Sequence, residues 1–265
     1  MTTEALTLRR DYLGSHRRMI VGRALASTLA GALPVPFIDD WAVRAVLGNA
    51  FKKIAAGRQV DLDADAVKNL VHGKASPASW PEMAASAVTY RLATRAWKRL
   101  LLAVAAARRA RAATRTFLVL TLFDHYCNRL HTGLGLDGPT ALALREAIDS
   151  ALDQTPGSFS FEPFRRGALA AAKAAVKAPL ELADIASGGA LRRWLEKRRD
   201  VHDPSEMSEL DQVIDQQLAA HESFLGRAVT AIELQLSAEA NPYLDHAIER
   251  LDRIWRLRTH KDDKP

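Results

Sequence analysis

Near the middle of the chain, three residues have the types and spacing for metal or thiol chemistry. In Asp124-His125-Tyr126-Cys127-Asn128-Arg129-Leu130-His131, the residues Asp124, Cys127 and His131 stand at i, i+3 and i+7. On an α-helix those positions share one face. Carboxylate, thiolate and imidazole are all zinc ligands, and a cysteine one turn from a histidine is also an arrangement that activates a thiolate. A structural zinc site needs four ligands, and His72, His202, His221 and His246 are scattered singly. The competing reading is a hydrogen-bonded polar cluster closing a helix end, with His131 at the C-terminal dipole. Apart from this alternative of a metal-dependent or thiol enzyme, no catalytic residue and no cofactor is expected.

Charge is the second concentration of chemistry. The chain has 37 Lys and Arg against 31 Asp and Glu, a net charge of +6. From Met83 through Phe123 there is no acidic residue, while Arg91, Arg95, Lys98, Arg99, Arg108, Arg109, Arg111 and Arg115 punctuate an apolar helix. The first four cluster on one side, and Arg108, Arg111 and Arg115 on a roughly opposite one, so one straight helix cannot present all of them to one flat surface. One reading is an amphipathic element on an anionic membrane surface or an acidic protein partner, with Tyr90 and Trp97 at the interface. Internal pairing with Glu206, Glu209, Asp211, Asp215 and Glu222 of a later helix is another, and phosphate contacts to nucleic acid are a third.

Other motifs carry no chemistry. Nothing reads G-x-x-x-x-G-K-[ST], and His221-Glu222 lacks the second histidine of a metalloprotease. Gly133-Leu-Gly-Leu-Asp-Gly138 joins helices with no strand before it, which argues against a dinucleotide fingerprint. Asp39 and Asp40 point about 100° apart on a helix and fit its first turn better than an acid–base pair.

The elements that must position these residues are helices. Hydrophobic residues make up 48% and charged residues 26% of the 265, which excludes a disordered chain, and alanine and leucine favour helix. Pro34-Val35-Pro36 breaks the first helical region, and a second helix runs from about Phe37 to Ala56, closed by Gly57. Asp61 can cap a short helix ending at Gly73. Ser79-Trp80-Pro81-Glu82 has the form of a capping box opening a bent helical stretch to about Leu130. Thr132–Thr140 is a glycine-rich turn, with Asp137 capping a helix to about Asp153. An alanine-rich helix broken at Pro179 and another ending near Arg199 follow. Asp203-Pro204-Ser205-Glu206 opens a long helix to about Ser237, and Asn241-Pro242 starts the last one, which frays from His260. No segment alternates apolar and polar residues, so essentially no sheet is expected.

The stretch Gly31-Ala-Leu-Pro-Val-Pro-Phe-Ile-Asp-Asp40, an apolar helix, and Gly57-Arg-Gln-Val-Asp-Leu62 resemble a known pattern. Over about residues 22–73, the chain resembles the helical domain of unknown function found beside GTPase domains and in YcjF-type membrane-associated proteins. The resemblance implies an interaction or regulatory module near a membrane, with no catalytic residues to carry over.

The expectation is therefore an all-α, multi-helix bundle of proline-broken helical hairpins. It spans 1–265 as one domain, with a possible subdivision into 1–154 and 164–265 around a linker at 155–163. One cysteine excludes an intramolecular disulfide. Arg23, Pro34 and Pro36 interrupt the first apolar run, against a signal peptide, and no uncharged stretch reaches the length of a transmembrane segment. The expected location is cytoplasmic, peripheral to the inner face of the membrane. The expected role is non-enzymatic.

Overall fold

From Phe117 to Cys127 the chain is apolar around the whole circumference of a helix, apart from Thr121, Asp124, His125 and Tyr126. A helix without a polar face belongs inside a bundle. The computed structural model describes residues 3–30, 38–73, 95–155, 204–220, 223–238 and 242–262, and every side chain from Phe117 to Cys127 is buried. Among the described residues there are eight helices: α1 (Thr3–Ala30), α2 (Ile38–Gly57), α3 (Ala64–His72), α4 (Arg95–Arg129), α5 (Gly138–Asp153), α6 (Pro204–Ala219), α7 (Phe224–Ala238) and α8 (Pro242–Asp262). The all-α expectation holds. The sole strand pairing among them is a two-residue parallel ladder of β1 (Asp61–Leu62) and β2 (Gly135–Leu136), with Asp61 opposite Gly135.

The buried half of α4 is the axis. Leu13, Ile20, Val21, Ala24 and Leu25 line one face of α1 and join the same core as Phe117, Leu120 and Phe123. Against α1 lie α2, α4, α6 and α7, while α3 packs on α5 and α8 covers α4 and α5. Phe51 of α2 meets Phe123 edge-on, with ring centroids 5.0 Å apart.

Helix ends follow the sequence with two corrections. Asp137 caps α5, its Oδ1 accepting from the Thr140 N–H at 2.9 Å, as expected. Gly73 closes α3 at φ +58°, where a side chain would be strained. The cap of α3 is Asp63, whose Oδ1 accepts from Ala66 N–H at 2.5 Å, because Asp61 is taken into β1. The helix expected to run unbroken to Ser237 stops at Ala219, and α7 starts afresh at Phe224. Ser223 makes the break: its hydroxyl donates to the Gln217 carbonyl at 2.6 Å and accepts from Gly226 N–H at 2.8 Å. The last helix stays regular to Asp262, past the expected fraying at His260. Pro34–Pro36, Ser79–Glu82, most of 155–163 and the helices expected around Pro179 and Arg199 lie outside the described residues.

Where α1 crosses α6, Gly22 lets the backbones approach: a Cβ there would collide with the Leu218 side chain. One residue on, the wholly buried Arg23 pairs with Asp211 and Asp215 of α6, its Nη2 donating to Asp215 Oδ1 at 2.7 Å. Lys53 of α2 shares both carboxylates, standing 2.9 Å from Asp211 Oδ2. Overpacking this crossing with Gly22→Val is expected to cost about 1–3 kcal/mol of unfolding free energy. Gly14→Ala, with nothing within 4 Å of the new Cβ, should hold stability or raise it by up to about 1 kcal/mol. Urea unfolding of both variants checks this, and equal effects would contradict the close crossing.

Candidate functional site

A wholly buried carboxylate needs partners, because desolvating an isolated charge costs several kcal/mol. Asp124, with no exposed surface, has two. Arg58, in the turn after α2, donates Nε–H to Oδ1 at 2.8 Å and Nη2–H to Oδ2 at 3.0 Å, a two-pronged grip. His16 of α1 places Nδ1 2.9 Å from Oδ1. The same Arg58 Nη2 donates to the Tyr12 carbonyl at 2.5 Å and the Ser15 hydroxyl at 3.1 Å. The hydrogen bond to Asp124 holds the Arg58 guanidinium pKa above its ordinary value, with burial opposing. Local geometry permits this because α2 ends on Gly57, where a Cβ would strike the His16 imidazole. Gln59, at φ 60°, then turns the chain so that Arg58 stays beside α1.

The next residue, His125, is also buried and belongs to a second network. Its Nδ1 lies 2.5 Å from the Tyr12 hydroxyl and its Nε2 2.7 Å from Asp252 Oδ1 of α8. The Arg129 guanidinium stands over the Tyr12 ring, 4.9 Å from its centroid. Asp252, His125 and Tyr12 are thus hydrogen-bonded in series and join α8, α4 and α1, with a cation over the phenol ring.

The three residues singled out by spacing do share the end of α4, but they are not brought together as a ligand set. Among the described residues, no group of three or more His, Cys, Asp or Glu side chains converges as a metal site requires. Asp124 faces Arg58 and His16. Cys127 is buried, and its thiol is pushed up to about 12 by burial first and the Asp124 charge second, with Arg58 opposing. That environment disfavours the thiolate. His131 packs on Tyr126, with Nδ1 3.3 Å from its hydroxyl. Burial lowers the His131 pKa, opposed by backbone hydrogen bonding at Gly133.

Of the basic stretch, Arg91 lies outside the described residues, and Arg95, Lys98, Arg99, Arg108 and Arg109 are described as α4 backbone only. Arg111 is exposed. Arg115 is internally paired, though not with α6: it donates to Asp149 at 2.8 Å and Asp153 at 3.4 Å on α5. Asp211 and Asp215, expected to answer this stretch, face Arg23 and Lys53 instead. Spacing along α4 does not point to Tyr12, His16, Arg58, His125 or Asp252. The available signal was two adjacent ionisable residues inside an apolar run, which forces partners from elsewhere. No protein family, curated protein or solved structure matches this chain.

The Cys127 thiol is expected to resist a chromogenic disulfide reagent in the native protein at pH 8 and to react fully once unfolded. Because the folded thiol keeps its proton to about 12 while an unfolded one ionises near 9.0, stability should fall as pH rises through that window. Rapid labelling of native protein, with a thiolate already present at pH 8, would contradict the assignment.

Proposed function

We propose that this chain is a non-enzymatic helical interaction or regulatory protein that docks through exposed cations on an anionic membrane surface or an acidic protein partner. The disposition of charge carries the reading. Carboxylates of Asp124, Asp149, Asp211, Asp215 and Asp252 are engaged in internal pairs. By contrast, Arg111 of α4 is exposed. The acid-free basic stretch from Met83 through Phe123, with Arg111 exposed on α4, supports electrostatic attraction to an anionic surface.

The resemblance of residues 22–73 to the GTPase-associated and YcjF-type helical domain agrees with a module working near a membrane. No described helix is long and apolar enough to cross one, so attachment is peripheral in this proposal, from the cytoplasmic side. The N-terminal half of α4, with Arg95, Lys98, Arg99, Arg108, Arg109 and Arg111, is the proposed contact. Arg115, tied to Asp149 and Asp153, serves the fold.

Co-sedimentation with anionic and neutral vesicles at low and physiological salt tests this. Binding is expected to anionic vesicles only, to weaken with salt, and to be lost in an Arg108→Glu, Arg111→Glu double variant that stays folded. Arg115→Glu should instead lower stability by setting a carboxylate against two others. An absence of vesicle binding in all conditions would remove the membrane form of the proposal.

A further inference from the structure

At the end of the bundle where α4 stops, the chain turns through 131–137 and α8 passes alongside, leaving an open groove of about 1150 Å³. Its floor is aromatic. Tyr126 meets Trp255 edge-on with centroids 4.9 Å apart, and His131 lies 5.6 Å from Tyr126. Cations reach it from the helices, as Arg129 of α4 and Arg256 of α8, both exposed. Carboxylates reach it from the loops and caps, as Asp61, Asp63 and Asp137, with Asp137 held ionised chiefly by hydrogen bonds from Thr140. Arg258 is already engaged, donating to the Ala143 carbonyl at 2.8 Å and to Glu146 at 3.0 Å. Arg256 and Asp61 form no ion pair with a described residue.

Two further features point to the kind of occupant. Leu134, 80% exposed, precedes the lining residue Gly135, and Leu257 sits between the lining residues Arg256 and Arg258, so exposed apolar surface continues past the groove. The ladder of β1 and β2 has no third strand among the described residues, and Gly135 and Leu136 of β2 line the groove. An extended chain can add to such an edge through main-chain hydrogen bonds. The volume exceeds the usual range of small-molecule cavities, about 300–1,000 Å³.

We propose that this groove binds an extended segment of a partner protein in which an apolar residue stands between an acidic and a basic one. The apolar side chain rests on Trp255, which the buried Tyr126 backs, the acidic one meets Arg129 and Arg256, and the basic one meets Asp61 and Asp137. A lipid surface fits the groove less well, because Asp61, Asp63 and Asp137 would stand against anionic headgroups. The site is separate from the α4 contact proposed for vesicles.

The test pans the full chain against a phage-displayed library of random extended peptides and measures enriched sequences by fluorescence polarisation. Enrichment of an apolar residue flanked by opposite charges is expected. Arg256→Glu and Asp61→Lys should each weaken binding roughly tenfold, and the first should be rescued by a peptide whose acidic residue is changed to lysine. Both replaced residues are exposed, and unchanged circular dichroism confirms that the fold persists. Failure to enrich any consensus, or equal affinity for wild type and both variants, would overturn the proposal. So would vesicle binding that depends on Arg256 rather than on Arg108 and Arg111, with no peptide bound, which would assign the groove to lipid.

Discussion

Two ionisable residues side by side in a fully buried helical run set the terms for the rest of this structure. Asp124 and His125 cannot remain in the core without partners. Adjacent positions on a helix diverge by about 100°, so each must find its own. Asp124 turns to Arg58 and His16, and His125 to Tyr12 and Asp252. Tyr12 and His16 stand four residues apart on one face of α1, so a single helix answers both neighbours. Sliding α1 along α4 would strip partners from two buried groups at once. The networks thereby specify the register of α1, α2 and α8 on α4, the best-supported role for buried polar groups whose net contribution to stability is small.

That same constraint separates inside from outside. Aspartates are drawn into the bundle by Arg23, Lys53, Arg58 and Arg115, and exposed guanidinium groups stand on α4, α7 and α8. Exposed carboxylates such as Asp61, Asp65 and Glu249 stand among them, so the described surface carries both signs of charge. In the groove at the end of α4, helix-capping and loop aspartates stand opposite the arginines beside Trp255. Its mixed charge suits a matched peptide.

Much of the fold was legible because it rests on local chemistry. Asp137 and Gly73 marked helix ends, and the absence of alternation marked an all-α chain. Asp61 was mistaken for a cap because a two-residue pairing with Gly135, distant in sequence, leaves no local trace. The break between α6 and α7 lacks both glycine and proline, and only Ser223, three residues before Gly226, hints at a new cap. For the site, spacing drew attention to the last turns of α4 but not to the partners that reach them from other helices. Asp124, Cys127 and His131 share a face, but burial and Arg58, 66 residues away, decide what Asp124 does. Sequence spacing registers neighbours on one helix and is silent about those on the next.

Arg58 and Asp124 act as one unit inside the bundle. A double-mutant cycle of Arg58→Met and Asp124→Asn, followed by urea unfolding, measures it directly. The account predicts that each single change destabilises strongly and that the double variant is more stable than their sum by about 1–3 kcal/mol. Additive effects within about 0.5 kcal/mol would mean that the two residues act independently, and would contradict it.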